Sequence, residues 1–199
     1  MSKGEQTKEK ILQQAAELFN KQGYAGSSIS DIMRVTGLQK GGIYNHFKNK
    51  DELALQAFDY AIACYQQHYR VVLRSKRHAI ERLFAIIGVF RSNIDHPPVK
   101  GGCPLLNTAV ESDDSHPALQ ERAQKAMNSW RDMICRIIDK GIQKGEICPT
   151  VNADEVATII IATLEGAVMM SKLYGDSIHM ERVINHLNNY IGNLRKIML

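Results

Sequence analysis

Apolar residues recur along this chain at intervals of three and four, and no segment shows the strict alternation that a half-buried strand needs. The pattern predicts an all-α fold of about nine helices. The first runs over about 7–22, with Ile11, Leu12, Ala15, Ala16, Leu18 and Phe19 in one stripe, and Gly23 reads as its left-handed stop. The second opens at Ser28, where Ser28 and Asp31 have the spacing of a capping box, and closes at Gly37. A short third helix, about 39–47, follows the Gly37-Leu38 turn. Asn49 and Glu52 form another capping pair that opens a long fourth helix to about residue 74.

Five further helices are predicted over about 77–93, 104–111, from after Ser115 to 143, from Asn152 to 174, and from 177 to the C-terminus. Pro117 falls in the first turn of the seventh, where its missing N–H costs nothing. Asn152 and Glu155 repeat the capping spacing at the eighth. The five prolines all lie between residues 97 and 149, so nothing in the first 96 forbids long helices. There is no internal repeat and no low-complexity tract.

The eighth helix stands apart. Val156, Ala157, Ile159, Ile160, Ile161, Ala162, Leu164, Ala167, Val168, Met169 and Met170 surround it on nearly every side. A helix apolar all round must be covered all round, which in a body of this size points to a helix of a second subunit, with purely intramolecular packing as the alternative. The ninth, with Ile178, Val183, Ile184, Leu187, Tyr190, Ile191 and Leu194 in a stripe, would complete a four-helix interface. The longest nearly unbroken apolar run, 156–164, is short of the roughly 20 residues that span a bilayer, and no apolar run follows the charged N-terminus. No membrane partner is expected, and the location is cytoplasmic.

Composition adds little; charge adds more. Residues 1–50 hold eight Lys or Arg and four Asp or Glu, whereas the remaining residues balance, so the formal excess of +4 lies wholly in the first quarter of the chain. A local basic excess attracts phosphate backbones through counterion release. Cys64, Cys103, Cys135 and Cys148 have no close C-x-x-C spacing and the seven histidines no H-E-x-x-H, so neither a structural metal nor a cofactor is expected. No nucleophile stands at readable spacing from a base. The chain does not read as an enzyme, although a helical enzyme or carrier, and a protein-interaction bundle, are competing classes.

Helix, glycine turn, short helix over about 28–47 is a helix-turn-helix. Ile43 and Phe47, four apart, face inward and leave the other side chains of the third helix for a DNA groove. The run Gly37-Leu38-Gln39-Lys40-Gly41-Gly42-Ile43-Tyr44-Asn45-His46-Phe47-Lys48-Asn49-Lys50-Asp51-Glu52-Leu53, with Asp31-Ile32 before it, resembles the signature of the TetR (tetracycline-repressor-like) family of bacterial regulators. The resemblance is strong over about residues 7–60. Beyond them it rests on helix count, length and the segment Gly102 to Glu111, which is similar to one in a branch of the family.

The resemblance implies a DNA-binding domain over 5–60 and an effector-binding and dimerisation domain over 61–199. It implies contacts to double-stranded operator DNA from Ser28 and Ser30 at the start of the second helix, and from Tyr44, His46 and Lys50 to the backbone. Lys40 is the expected reader of a base edge, since a lysine donates to guanine O6 or N7, with Gln39 as a second. The family usually has Ser or Thr where this chain has Gly42. Gly41 and Gly42 allow close backbone approach but each lowers helix propensity by about 1 kcal/mol relative to Ala, so the recognition helix is expected to fray off DNA and order on binding.

The family also implies a homodimer through the last two helices and a small apolar or amphipathic effector. Cys64, His68, Cys103, Leu106, Trp130, Met133, Glu165 and Met169 are candidate effector contacts. The same residue types are common as packed structural groups, and both readings stand. Cys103, after Gly101-Gly102 at a helix start, is where a dipole would favour a reactive thiolate, with a small buried filler as the alternative. The expected action is repression relieved by an effector that disfavours the DNA-bound spacing.

Overall fold

A computed structural model describes residues 2–112 and 116–195, and among them the chain is all helix apart from loops and one isolated bridge between Ile147 and Arg195. The helices are α1 (Lys3–Gln22), α2 (Ile29–Thr36), α3 (Lys40–Tyr44), α4 (Lys50–Leu73), α5 (Ala79–Asp95), α6 (Pro104–Ser112), α7 (Pro117–Gln143), α8 (Ala153–Tyr174) and α9 (Ile178–Gly192). Among the described residues nine helices are present where about nine were expected. The expected boundaries at Ser115 and at the extreme C-terminus lie outside the described residues.

Several ends differ from expectation. α1 begins four residues early because Ser2 and Glu5 form a capping box: the Ser2 hydroxyl accepts the Glu5 amide, and the Glu5 carboxylate accepts the Ser2 amide. Gly23 is not a left-handed stop; its φ of 77° is combined with an extended ψ of 165°. α3 closes at Tyr44 rather than 47, where the His46 amide reaches back only three residues to the Ile43 carbonyl. α5 starts later than expected, where His78 Nδ1 accepts the Ile80 amide and Glu146 accepts that of Ala79. α9 ends at Gly192.

The chain forms two compact units. The first comprises residues 1–65 and 98–126, which brings α1 to α3, the first part of α4, α6 and the start of α7 together. Its core is Ile11, Ala15, Ala16, Leu18, Ile32, Ile43, Phe47, Leu53, Ala57, Ala61 and Val99. α1 packs on α2 and on α6, and α2 on α3. Gly37 is left-handed (φ 69°, ψ 16°), which turns the chain sharply between α2 and α3 at a position where a Cβ would be strained.

The second unit comprises residues 66–97 and 127–199, in which α5, α8 and α9 pack on one another. Ile80, Leu83, Ile86 and Ile87 of α5, Ile134 and Ile138 of α7, Ile160 and Leu164 of α8, and Leu187 and Ile191 of α9 form its centre. α8 is long and apolar enough by length and composition to cross a membrane, yet it is two-faced here. Val156, Ala157, Ile160, Ile161, Leu164 and Ala167 are buried in the unit, whereas Thr158, Ala162, Met169 and Leu173 are exposed along the opposite face. Met169 is 55% and Leu173 73% exposed.

Candidate nucleic-acid interface

The interface is built from α2, α3 and the start of α4. At α2, the Ser28 hydroxyl accepts the Asp31 amide at 3.1 Å, and the Asp31 carboxylate accepts the Ser28 amide at 3.0 Å and the Ser28 hydroxyl at 2.6 Å. These bonds, with the Arg34 guanidinium next, hold the Asp31 carboxyl down to about 2 from 3.8. Ser28 is therefore committed to its cap. Ser30, exposed one residue inside the helix, is the serine better placed to donate outward.

Ile43 in α3 and Phe47 just after it are 1% and 2% exposed, so the inward pair is where the spacing put it. Gln39, Lys40 and Gly41 are exposed, and Gly42, Tyr44 and His46 half-buried beside them. Gln39 is the N-cap but its side chain makes no capping bond, which leaves its amide directed elsewhere. The Lys40 ammonium stands 5.8 Å from the Tyr44 ring centroid, a cation–π distance that aligns the two side chains. A Cβ on Gly41 would meet nothing within 4 Å, and one on Gly42 would make only ordinary contact with Leu38 at 3.6 Å. Neither glycine is demanded by packing inside this unit.

Lys50 is drawn inward more than a surface lysine would be. Its ammonium donates to the Tyr24 carbonyl at 2.6 Å and lies 4.1 Å from the Tyr24 ring centroid. The Tyr24 phenol donates to Asp51, and burial followed by that carboxylate raises its pKa from 10.0 to about 12. The His116 ring meets Tyr24 edge-on at 4.8 Å. The turn between α1 and α2 is thus held by the start of α4 and by His116 at the start of α7.

A third support comes from α6. The Glu111 carboxylate accepts the Tyr24 amide at Oε2 and the Ala25 amide at Oε1, both at 2.9 Å. Four residues before it, Asn107 Nδ2 lies 3.0 Å from the Asn20 carbonyl, 2.8 Å from Asn20 Oδ1 and 3.0 Å from the Gly101 carbonyl. Asn20 Nδ2 in turn donates to the Lys100 and Gly102 carbonyls. Sequence reasoning missed Asn20, Tyr24, Asn107 and Glu111. One signal was legible: Asn20 follows Ala16 by four residues, a polar side chain on the buried stripe of α1, and it is 8% exposed.

The candidate effector residues divide between the units. Cys64, Cys103 and Leu106 belong to the first and His68, Trp130, Met133, Glu165 and Met169 to the second. All are half-buried except Glu165, which is buried, and Met169, which is exposed. Cys103 precedes α6, and its carbonyl accepts the Asn107 amide. Trp130 is stacked against Phe90 at 5.4 Å and Tyr69 at 6.5 Å between centroids. Its indole N–H is buried and donates to no protein acceptor among the described residues. No group of three or more His, Cys, Asp or Glu there could hold a metal ion.

Two family models match the chain. "Bacterial regulatory proteins, tetR family" matches residues 11–57, and "Tetracyclin repressor-like, C-terminal domain" matches residues 79–187. A crystal structure of a TetR transcriptional regulator from Chloroflexus aurantiacus superposes with a TM-score of 0.95 at 46% identity, covering 100% of both chains. A TetR-family regulator from Cytophaga hutchinsonii superposes at 0.92 with 32% identity, over 100% of this chain and 99% of that one. The fold is also that of CifR, a TetR-family regulator solved as a cysteine mutant with a 26-base-pair operator duplex (TM-score 0.80, 17% identity, 92% and 94% covered).

Proposed function

Because the chain belongs to the TetR family of bacterial transcriptional regulators, we propose the residues through which it acts. It is a ligand-responsive DNA-binding repressor and not an enzyme; it works as a dimer through its last two helices, in the cytoplasm with the DNA. A single helix-turn-helix reads too few base pairs for specificity, and a two-fold pair reads a palindrome with half-sites one duplex turn, roughly 34–36 Å, or a multiple apart. Residues 5–60 bind the operator, as CifR's operator complex suggests by analogy, and residues 61–199 carry the dimer face and effector response.

Lys40 and Gln39 read base edges in the major groove. Tyr44, His46 and Ser30 contact the backbone, and Ser28 contributes by fixing the start of α2. Lys50 uses one of its three donors on the Tyr24 carbonyl and has two left for a phosphate. Gly41 and Gly42 let the α3 backbone come close to the groove wall. The carrying observation is the division of residues 39–47: the Ile43–Phe47 pair is sealed, while every polar side chain proposed to read DNA stays at least partly open.

The effector is small and apolar or amphipathic. Trp130, Met133, His68 and Glu165, all in the second unit, are its proposed contacts, the Trp130 indole offering a donor to a ligand's acceptor; Cys64, Cys103 and Leu106 belong to the first unit and are not assigned to that site. Met169, exposed on the same face of α8 as Ala162 and Leu173, is assigned to the dimer face instead. Effector binding releases DNA by differential affinity for the two spacings, a coupling of roughly 1–3 kcal/mol.

The test is selection of DNA fragments from a random pool by the purified protein. The expected enrichment is a palindrome whose affinity falls steeply with salt. No enriched sequence, or affinity indifferent to salt, would overturn the reading.

A further inference from the structure

We propose that Glu111, on α6 and outside the helix-turn-helix, is a positioning residue for operator binding: its carboxylate clasps the α1–α2 turn and so sets the pose of α2 and α3 without touching DNA. The inference rests on the DNA-binding reading above and adds to it a determinant that the helix-turn-helix does not contain.

Four observations converge on the clasp. Each carboxylate oxygen accepts one of two successive backbone amides, Tyr24 to Oε2 and Ala25 to Oε1. Two parallel donors require two acceptors on one rigid group, which a carboxylate supplies and a carboxamide does not. Gly23 is shaped for the same contact: a Cβ there would stand 2.6 Å from Oε1 and 2.8 Å from Oε2. Asn107, one helical turn before Glu111, holds the end of α1 through Asn20, so α6 grips both sides of the turn along one face. The loop before α6 makes an equally close approach, since a Cβ on Gly101 would meet the Asn20 carbonyl at 2.8 Å.

The clasped turn leads into the interface. Ser28, the cap of α2, lies three residues beyond Ala25, and the Lys50 ammonium holds the Tyr24 carbonyl from the other side of the same residue. With the clasp intact, the α1–α2 turn has one position and α2 starts from a fixed point. With it opened, two backbone amides lose their acceptors and must find water, which loosens the origin of α2 and leaves the DNA-facing side chains themselves unchanged. The expected signature is loss of specific binding with non-specific binding kept, because phosphate attraction tolerates a displaced α2 and base readout does not.

The experiment compares the wild-type chain with E111Q and E111D on a selected operator duplex and a scrambled duplex, together with amide hydrogen exchange in the free proteins. E111Q turns an NH2 toward one of the two donors. It should weaken operator binding about tenfold, the loss of a charge-assisted pair of bonds, keep scrambled-duplex affinity within about twofold, and speed exchange at Tyr24 and Ala25 before the rest of α1. E111D keeps both acceptors one methylene short and should fall between; it also serves as the test chain should E111Q not fold. Unchanged operator affinity in the variants, equal losses on both duplexes, or E111D worse than E111Q would overturn the proposal. If the wild-type chain itself selects no operator, the DNA reading fails instead, and the exchange rates at residues 24 and 25 still judge the clasp.

Discussion

The Glu111 carboxylate fills the space in which a side chain on Gly23 would stand, with Oε1 2.6 Å from the Cβ position. The two residues are 88 apart in the chain, and a side chain on Gly23 would force the carboxylate out of its clasp. Gly23→Ala combines a positive φ of 77° with that collision, so it should destabilise the protein by roughly 2–4 kcal/mol. Repeating it in a Glu111→Ala background removes the collision and leaves the backbone strain. Urea unfolding of the four chains should give a coupling of at least about 0.5 kcal/mol between the sites; additive losses would contradict the contact.

Gly41→Ala should stabilise α3. No atom lies within 4 Å of the Cβ position and φ is not positive there, so the substitution lowers unfolded-state entropy without strain, worth roughly 0.4–1 kcal/mol. Amide exchange over residues 40–46 should slow in the free protein. In the wild-type chain the same amides should exchange faster free than on operator DNA; equal protection in both states would refute the fraying of so short a helix.

Acid should loosen α2 early. The Asp31 carboxyl is held at about 2 in the folded chain against 3.8 without its partners, so its contribution to folding is fully present above pH 3.8 and is lost as the pH falls toward 2. Asp31→Asn removes that dependence. A wild-type chain whose stability falls between pH 4 and 2 in parallel with the Asn variant would exclude the cap as the cause.

Charges on the open face of α8 should separate the subunits. Met169→Glu with Leu173→Glu places two carboxylates where the dimer buries apolar surface, at a cost of several kcal/mol. Sedimentation should show a monomer with unchanged helix content, and operator affinity should drop by tenfold or more because one half-site alone is read. A dimer of wild-type strength would move the interface elsewhere.

Lys40→Ala and Tyr44→Ala should differ in kind. Losing a base-edge contact costs roughly 1–3 kcal/mol and relaxes preference at one position of the site, whereas losing a backbone contact weakens all sites alike. Fragment selection with each variant distinguishes the two. A relaxed position in Tyr44→Ala with none in Lys40→Ala would exchange their roles.

Most local signals stand as the spacing predicts; the Ser2–Glu5 box and the extended ψ of Gly23 are the exceptions. The Ser28–Asp31 box, the left-handed Gly37 and the buried Ile43–Phe47 pair depend on groups within four residues of one another, and each stands as the spacing predicted. The Asn49–Glu52 pair is half right: the Glu52 amide donates to Asn49, but the Glu52 carboxylate takes the Lys48 amide instead. One helix end depends on a partner far along the chain: Glu146 accepts the Ala79 amide at the start of α5. Lys50 reads in sequence as a free surface charge, and only the folded turn places the Tyr24 carbonyl and ring against it.

Periodicity, caps and one contiguous signature were enough to establish the helical class, the helix-turn-helix and the family, because those features are written in residues close enough to interact before anything else folds. The junction of α6 with the α1–α2 turn was not legible. Its partners are 86 and 87 residues apart, and neither a glutamate nor an asparagine announces which distant amides it will accept. The two faces of α8 were equally hidden, since one helix carries apolar residues all round and only packing decides which face α5 and α9 take and which is left for a second subunit.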